Sequence, residues 1–337
     1  MANYSDILKK RLWDFYYKSR YYSVSFALWD FLWWICFYIR PPFSWQLSTL
    51  AIRHKTAWLD RYIETHYHDV IQSFEQSGIE ATSENKSRHC IWVFWGQGEA
   101  EMPVLIKACY KQLTSLNDNV ILVTKQNLHE YVDIPREIYY KVESGKLTWA
   151  HFSDIIRTTL LAQHGGLWLD ATVWVTRKFP FEDFEKMPFY SANGKVAVSN
   201  KSIRFWTSFE WNWSSWAMFA NSTNYPLFKF VSQMMQAIAI RERCWPDYVL
   251  QDFLIYYACR TFPQIGQSMT ICNNIEFKHR GKLASLMNNT YDEDAYNILI
   301  QTDYIFKLSF RTKWNKYDSE GNPTFYGRLI HPDSTFL

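Results

Sequence analysis

A chain of 337 residues with 48% hydrophobic content is long enough to close one large core, or a core with an appendage, which excludes disorder as its dominant state. A formal net charge of +3 spread over that length without a basic tract excludes a nucleic-acid binder, whose basic residues gather on one face. The aromatic share of 19%, including 17 Trp, exceeds what a core needs and suits surfaces that meet carbohydrate, nucleobases or a membrane interface.

The six cysteines form no CxxC pair and have no His at zinc-ligand spacing, which argues against a structural zinc site. Buried free thiols in a reducing cytoplasm are the plain reading, although an even count also fits an oxidising compartment.

The first element, Tyr21 to Ile39, is dense in aromatics, with Lys9, Lys10, Arg11, Lys18 and Arg20 ahead of it and Arg40 behind. Asp30 stands at its middle, and basic residues flank both ends, so it does not read as a spanning helix. Two readings fit: a helix lying in the headgroup layer of a cell membrane, or one docked on the rest of the protein. Its late start and the lack of a small-residue cleavage site speak against a secretory signal. After Pro41-Pro42, residues Ser48 to about Phe74 predict an amphipathic helix through Leu50, Ile52, Trp58, Leu59, Tyr62 and Ile63. The polar run Glu75 to Arg88 then separates an N-terminal helical region, 1–86, from a main domain, 87–337.

From there apolar runs alternate with helical patterns. CIWVFWGQG, a helix over about Met102 to Leu116, NVILVT, a helix over about His151 to Gln163, and GLWLDATVWV follow one another, which predicts an α/β domain with a mostly parallel sheet. Ligands of such sheets gather beyond the carboxyl ends of the strands, where candidate segments lie. Trp95-Gly96-Gln97-Gly98 offers a stacking face and a close backbone approach. Ser153, Asp154 and Arg157 sit on an otherwise apolar helix, the acid and base three apart and thus on one face; an exposed ion pair and a cleft-facing pair both fit that spacing. Asp170 and Thr172 fall on one side of an extended segment between Trp168 and Trp174, where a buried carboxylate requires a cation or donors. Gly165-Gly166 most plainly ends the preceding helix.

In combination, IWVFWGQG followed by HFSDIIRTTLLAQHGGLWLDATVWV resembles the capsular polysaccharide synthesis family of bacterial glycosyltransferases, relatives of the DXD-containing glycosyltransferases and the clostridial glucosylating toxins. The resemblance implies a GT-A fold, a nucleotide-sugar donor of UDP type, a divalent cation (Mn²⁺ or Mg²⁺) at the diphosphate and, by its leaning, a retaining hexosyl transfer. By position, Trp95 and Gly96 would meet the nucleotide, and Ser153, Asp154 and Arg157 the ribose and donor sugar. Asp170 would be the first acid of the DXD pair, with Thr172 standing in the place of the second. A neutral hydroxyl is a poorer ligand than a carboxylate for a hard cation.

Among later residues, Lys307 within FKLSF is the first candidate to close over a phosphate, ahead of Arg311 and Lys313. In WPDYVLQDFLIYY, Pro246 and Asp247 suit a first helical turn, and Asp252, deeper in the apolar pattern, suits an acceptor or catalytic contact. The aromatic stretch Phe205 to Phe219 fits either an acceptor groove or core. The expectation is a glycosyltransferase at the inner membrane face acting on a glycan or lipid-linked acceptor; the competing one is a degenerate, membrane-attached scaffold that binds without turnover.

Overall fold

The structure is a computed structural model that describes residues 4–38, 43–78, 89–184, 186–187, 189–192, 214–272 and 280–331. The N-terminal region is helical: α1 (Tyr4–Tyr21), α2 (Val24–Ile35), α3 (Phe43–His66) and α4 (His68–Gln76). Ser23 starts α2 because its hydroxyl accepts from the Phe26 amide at 3.0 Å, satisfying one otherwise orphaned donor. Phe26 stacks on Trp58 at 4.3 Å, and Phe26, Asp30 and Trp33 are buried while Val24 and Leu28 remain exposed. Protein therefore covers the inner face of α2.

The buried side of α3 runs through Ala51, Lys55, Leu59 and Ile63, four residues apart as one helix face requires. Leu50, expected on that face, is exposed. The rotation follows from Lys55, whose ammonium is drawn inward by Asp30 at 2.6 Å and Asp247 at 2.5 Å; an inward charge has to be met by partners. Tyr67 separates α3 from α4 and, with Tyr62, donates its hydroxyl to Glu242. No helix among the described residues is long and apolar enough to cross a membrane.

The main sheet is built from β1 (Ile91–Phe94), β2 (Val120–Val123), β3 (Gly166–Leu169), β5 (Phe189–Ser191) and β6 (Ala217–Ala220), five strands in the order β2-β1-β3-β6-β5. β1 pairs in parallel with β2 and with β3, whereas β6 runs antiparallel to β3 and β5, so β5 points the same way as the parallel strands. A second, two-stranded sheet joins β4 (Val173–Val175) to β7 (Ile305–Lys307). The α/β class and mainly parallel sheet expected from the sequence are thus present.

The crossovers are α5 (Val104–Leu116), α6 (Leu128–Tyr131), α7 (Arg136–Glu143) and α8 (Trp149–His164), followed by α9 (Phe181–Phe184), α10 (Pro226–Arg241) and α11 (Leu250–Thr261). Strand alternation sorts the core. Trp92, Trp168 and Met218 face the layer that holds Ile155, Phe230, Leu254 and the N-terminal residues Phe26, Leu59 and Phe74. Ile91, Val93, Leu167 and Phe219 face Leu113 and Phe184. The first of these two layers runs continuously from α2 to α11.

Two further expectations need correcting. The segment around Asp170 is not one extended strand: β3 ends at Leu169, the Val173 amide donates to the Asp170 carbonyl at 3.0 Å, and β4 leaves for the second sheet. The helix expected from Pro246 begins at Leu250. Asp247 lies just ahead of it, accepting from the Val249 amide at 3.0 Å and pairing with Lys55, and the pull of Lys55 on its carboxylate holds this stretch outside the helix. The helix end at Gly165-Gly166 is as expected. Gly165 closes α8 at φ 65°, and a Cβ on Gly166, at φ 85°, would lie 2.8 Å from the Cys90 carbonyl oxygen, so both positions demand glycine.

Candidate active site

The parallel arrangement of β1 and β3 brings their carboxyl ends to one edge, and the turn after β3 projects Asp170 there. Each Asp170 oxygen has its own partners. Oδ1 accepts from Arg157 Nη2 at 3.1 Å and from the Trp168 indole at 3.0 Å; Oδ2 accepts from Lys307 Nζ at 2.6 Å. Burial pushes the Asp170 pKa up, but the Lys307 ammonium and the Arg157 guanidinium outweigh it and hold the carboxyl at about 2.

Arg157 is the hub. It is 5% exposed, and its Nη1 donates to Asp154 Oδ1 and to Gln251 Oε1, each at 2.9 Å. Its guanidinium also sits 5.0 Å over the Trp168 ring, a favourable placement for a cation on an indole face. The helix spacing read from the sequence thus yields an ion pair that is largely buried rather than exposed, at 6% and 23% side-chain exposure. Burial raises the Asp154 pKa to about 7, with the nearby charges of Asp252 and Asp170 adding to the rise and Arg157 opposing it. At neutral pH Asp154 is consequently poised between acid and base.

Lys307 reaches the cluster because β7 pairs Lys307 with Val173 of β4, and the Leu308 amide donates to the Thr172 carbonyl at 3.0 Å. Its ammonium bridges Asp170 Oδ2 at 2.6 Å and Thr172 Oγ1 at 2.7 Å. The second sheet therefore brings one amine onto the turn after β3. Arg311 and Lys313 are exposed and take no part.

Trp95 is half-buried, packs edge-on against Phe310 at 5.7 Å, and its indole N–H is buried with no acceptor. Gly96 lies beneath Phe94, Trp149 and Lys125. Ser153 is half-buried one turn ahead of Arg157 and makes none of the cluster's hydrogen bonds. Asp252 acts on Asp154 through charge. His151 stacks on Trp245 at 5.1 Å; burial pushes its pKa down to about 4 against the pull of Asp247, with Lys18 and Lys10 adding to the fall. Of the stretch Phe205 to Phe219, residues 205–213 lie outside the described residues.

Gln251 was missed by sequence reasoning. It is 2% exposed, its carbonyl oxygen is taken by Arg157, and its amide nitrogen is buried without an acceptor. The signal that singled out Asp252, a polar residue in an apolar helix, applied equally to its neighbour. Arg157 Nε is likewise buried and unpaired. The cluster thus has an Asp170 carboxylate with both oxygens engaged and N–H donors left over on Gln251 and Arg157, so it suits a ligand rich in acceptor oxygens.

The donor set fits a divalent cation poorly. It comprises one carboxylate, both of whose oxygens are engaged, and one neutral hydroxyl held by an ammonium. Hard cations favour several charged oxygens, and among the described residues no three His, Cys, Asp or Glu gather closely enough to hold a metal ion.

A mainly parallel sheet flanked by helices, with an acid-bearing turn at its carboxyl edge and a small second sheet beside it, defines a protein of the α/β class. Residues 43–329 match the family described as capsular polysaccharide synthesis protein, and the chain belongs to that family. Among solved structures, mouse xyloside xylosyltransferase 1 in its apo form is similar at 12% identity, covering 67% of this chain and 99% of that one, with a TM-score of 0.33. A search of curated proteins found no match.

Proposed function

We propose that this protein is a glycosyltransferase moving a hexose from a nucleotide-sugar, of UDP type, to a glycan or lipid-linked acceptor in capsular or other cell-surface polysaccharide assembly, with retention of configuration. The observation that carries the reading is the Asp154–Arg157–Asp170–Lys307 cluster, where buried donors on Gln251 and Arg157 lack acceptors. A diphospho-sugar supplies negative charge and acceptor oxygens to such a site, and membership of the capsular polysaccharide family supports the role.

In the transfer, the bond between the anomeric carbon and the β-phosphate oxygen breaks with its electron pair going to the diphosphate. The acceptor hydroxyl oxygen bonds to that carbon, and its proton passes to the departing phosphate. Positive groups beside the phosphate stabilise the charge that builds there. Incubating the purified protein with UDP-, GDP- and CMP-sugars tests the reading: one donor is expected to be turned over, slowly to water and faster with an acceptor glycan, with the product anomer read by NMR. Failure of every donor to bind or turn over overturns it and leaves the scaffold reading.

We also propose that the protein works at the inner face of the cell membrane, held there by α1. Trp13 at 60% and Tyr16 at 53% exposure stand beside exposed Lys9, Lys10 and Arg20, and rings interleaved with basic residues suit an anionic headgroup layer. Sedimentation with vesicles containing anionic lipid, lost in Trp13→Ser with Tyr16→Ser, is expected; sedimentation unchanged in that variant overturns it.

A further inference from the structure

The resemblance assigns a divalent cation to the oxygens of Asp170 and Thr172, yet those oxygens already share one partner. Lys307 Nζ lies 2.6 Å from Asp170 Oδ2 and 2.7 Å from Thr172 Oγ1. An ammonium has three N–H donors and no acceptor. Two are spent on this bridge, and the third is free to meet a ligand oxygen on the open side, where the Lys307 side chain is 31% exposed. The backbone beneath it is fixed, because the Lys307 amide donates to the Arg280 carbonyl at 2.9 Å and β7 is zipped to β4.

Charge accounts for Thr172. Asp154 pairs with Arg157, and Asp170 lies between Arg157 and Lys307, so two bases already face two acids; a neutral residue at 172 spares the turn a further negative charge that would repel a diphosphate. A carboxylate there would need added positive charge, such as a divalent cation, before a diphosphate could bind.

Resting on the glycosyltransferase reading, we propose that the Lys307 ammonium stands in the place of the divalent cation, so that donor binding and transfer proceed without metal. On this reading Lys307 takes the charge of the leaving diphosphate directly, and Asp170 and Thr172 are its positioning residues rather than metal ligands.

The wild-type chain decides the matter without any variant. Thermal shift with UDP is measured in EDTA and in Mn²⁺, and free Mn²⁺ is titrated into the protein with and without UDP and followed by electron paramagnetic resonance. Equal stabilisation by UDP in both buffers, with no Mn²⁺ bound beyond what UDP itself chelates, is the expected result. Lys307→Met, close in length, should weaken UDP roughly 10–100-fold, the loss of one charge-assisted hydrogen bond, and Lys307→Arg should recover part of it. Binding of UDP only with Mn²⁺ overturns the inference and leaves the glycosyltransferase standing. Absence of nucleotide binding in both buffers overturns the two together.

Discussion

Lys55 and Asp247, on an N-terminal helix and just ahead of α11, form an ion pair of 2.5 Å in which both side chains are almost wholly buried, at 7% and 3% exposure. The chain of charge continues outward, because Lys55 also holds Asp30, and Asp30 holds Lys18 at 2.6 Å. Opposite charges therefore alternate along a buried line that ties α1, α2 and α3 to the α11 side of the candidate site.

Removing one member should be worse than removing the line. Lys55→Met leaves Asp30 and Asp247 short of a counter-charge and should destabilise the fold by about 3–5 kcal/mol, measured by urea denaturation. Lys55→Met with Asp247→Asn should recover part of that loss. Additive losses in the double variant would show that the two residues are not coupled.

Arg157 serves three acceptors with one planar fork, on Asp154, Gln251 and Asp170. Lysine cannot reproduce that geometry. Arg157→Lys is expected to lower turnover at least about 100-fold, in line with loss of a preorganised donor, while far-ultraviolet circular dichroism stays unchanged.

Gln251→Leu keeps the volume and removes both the acceptor for Arg157 and the spare N–H. About tenfold weaker donor binding, the scale of one hydrogen bond to a charged group, is expected, seen as a raised KM with a smaller change in kcat. An unchanged KM would place Gln251 outside the donor's reach.

The pH dependence carries two opposed signs. Asp154 has a folded-state pKa raised to about 7, above its ordinary carboxylate value, so the folded state binds the extra proton; the stability it contributes is full at acid pH and is lost as pH rises through 7. His151 is depressed to about 4, so the unfolded state takes the proton first, and stability falls as pH drops from about 6.5 toward 4. Between about pH 4 and 6.5 the two slopes oppose and largely cancel, so melting temperature should vary little there. Asp154→Asn should leave a stability that falls toward acid pH, and His151→Gln one that falls toward neutral pH.

Gly166→Ala sets a positive φ and a 2.8 Å approach to the Cys90 carbonyl against one methyl. A loss of about 1–3 kcal/mol is expected from the backbone strain alone, with the clash adding to it, as read from chemical denaturation.

Much of the fold was legible because its signals are local. Alternating apolar runs marked β1, β2 and β3, and the three-residue spacing of Asp154 and Arg157 put them on one face whatever the rest of the chain did. The turn at Asp170 was not legible. Extended and turned backbone both satisfy GLWLDATVWV, and only the diversion of Val173–Val175 to pair with β7 selected the turn. The inward face of α3 was hidden for the same reason, since Lys55 reads as solvent-facing until Asp30 and Asp247 are in place.

By itself, then, the sequence determined the α/β class, the family pattern and which acid and base share a helix, because neighbours along the chain impose those relations through backbone geometry. Only the tertiary structure decided that Gln251 meets Arg157, and that Lys307 occupies both oxygens of the Asp170–Thr172 turn. Such contacts join residues far apart in the chain, and their energies depend on burial and on the charges packed around them, which no local pattern contains.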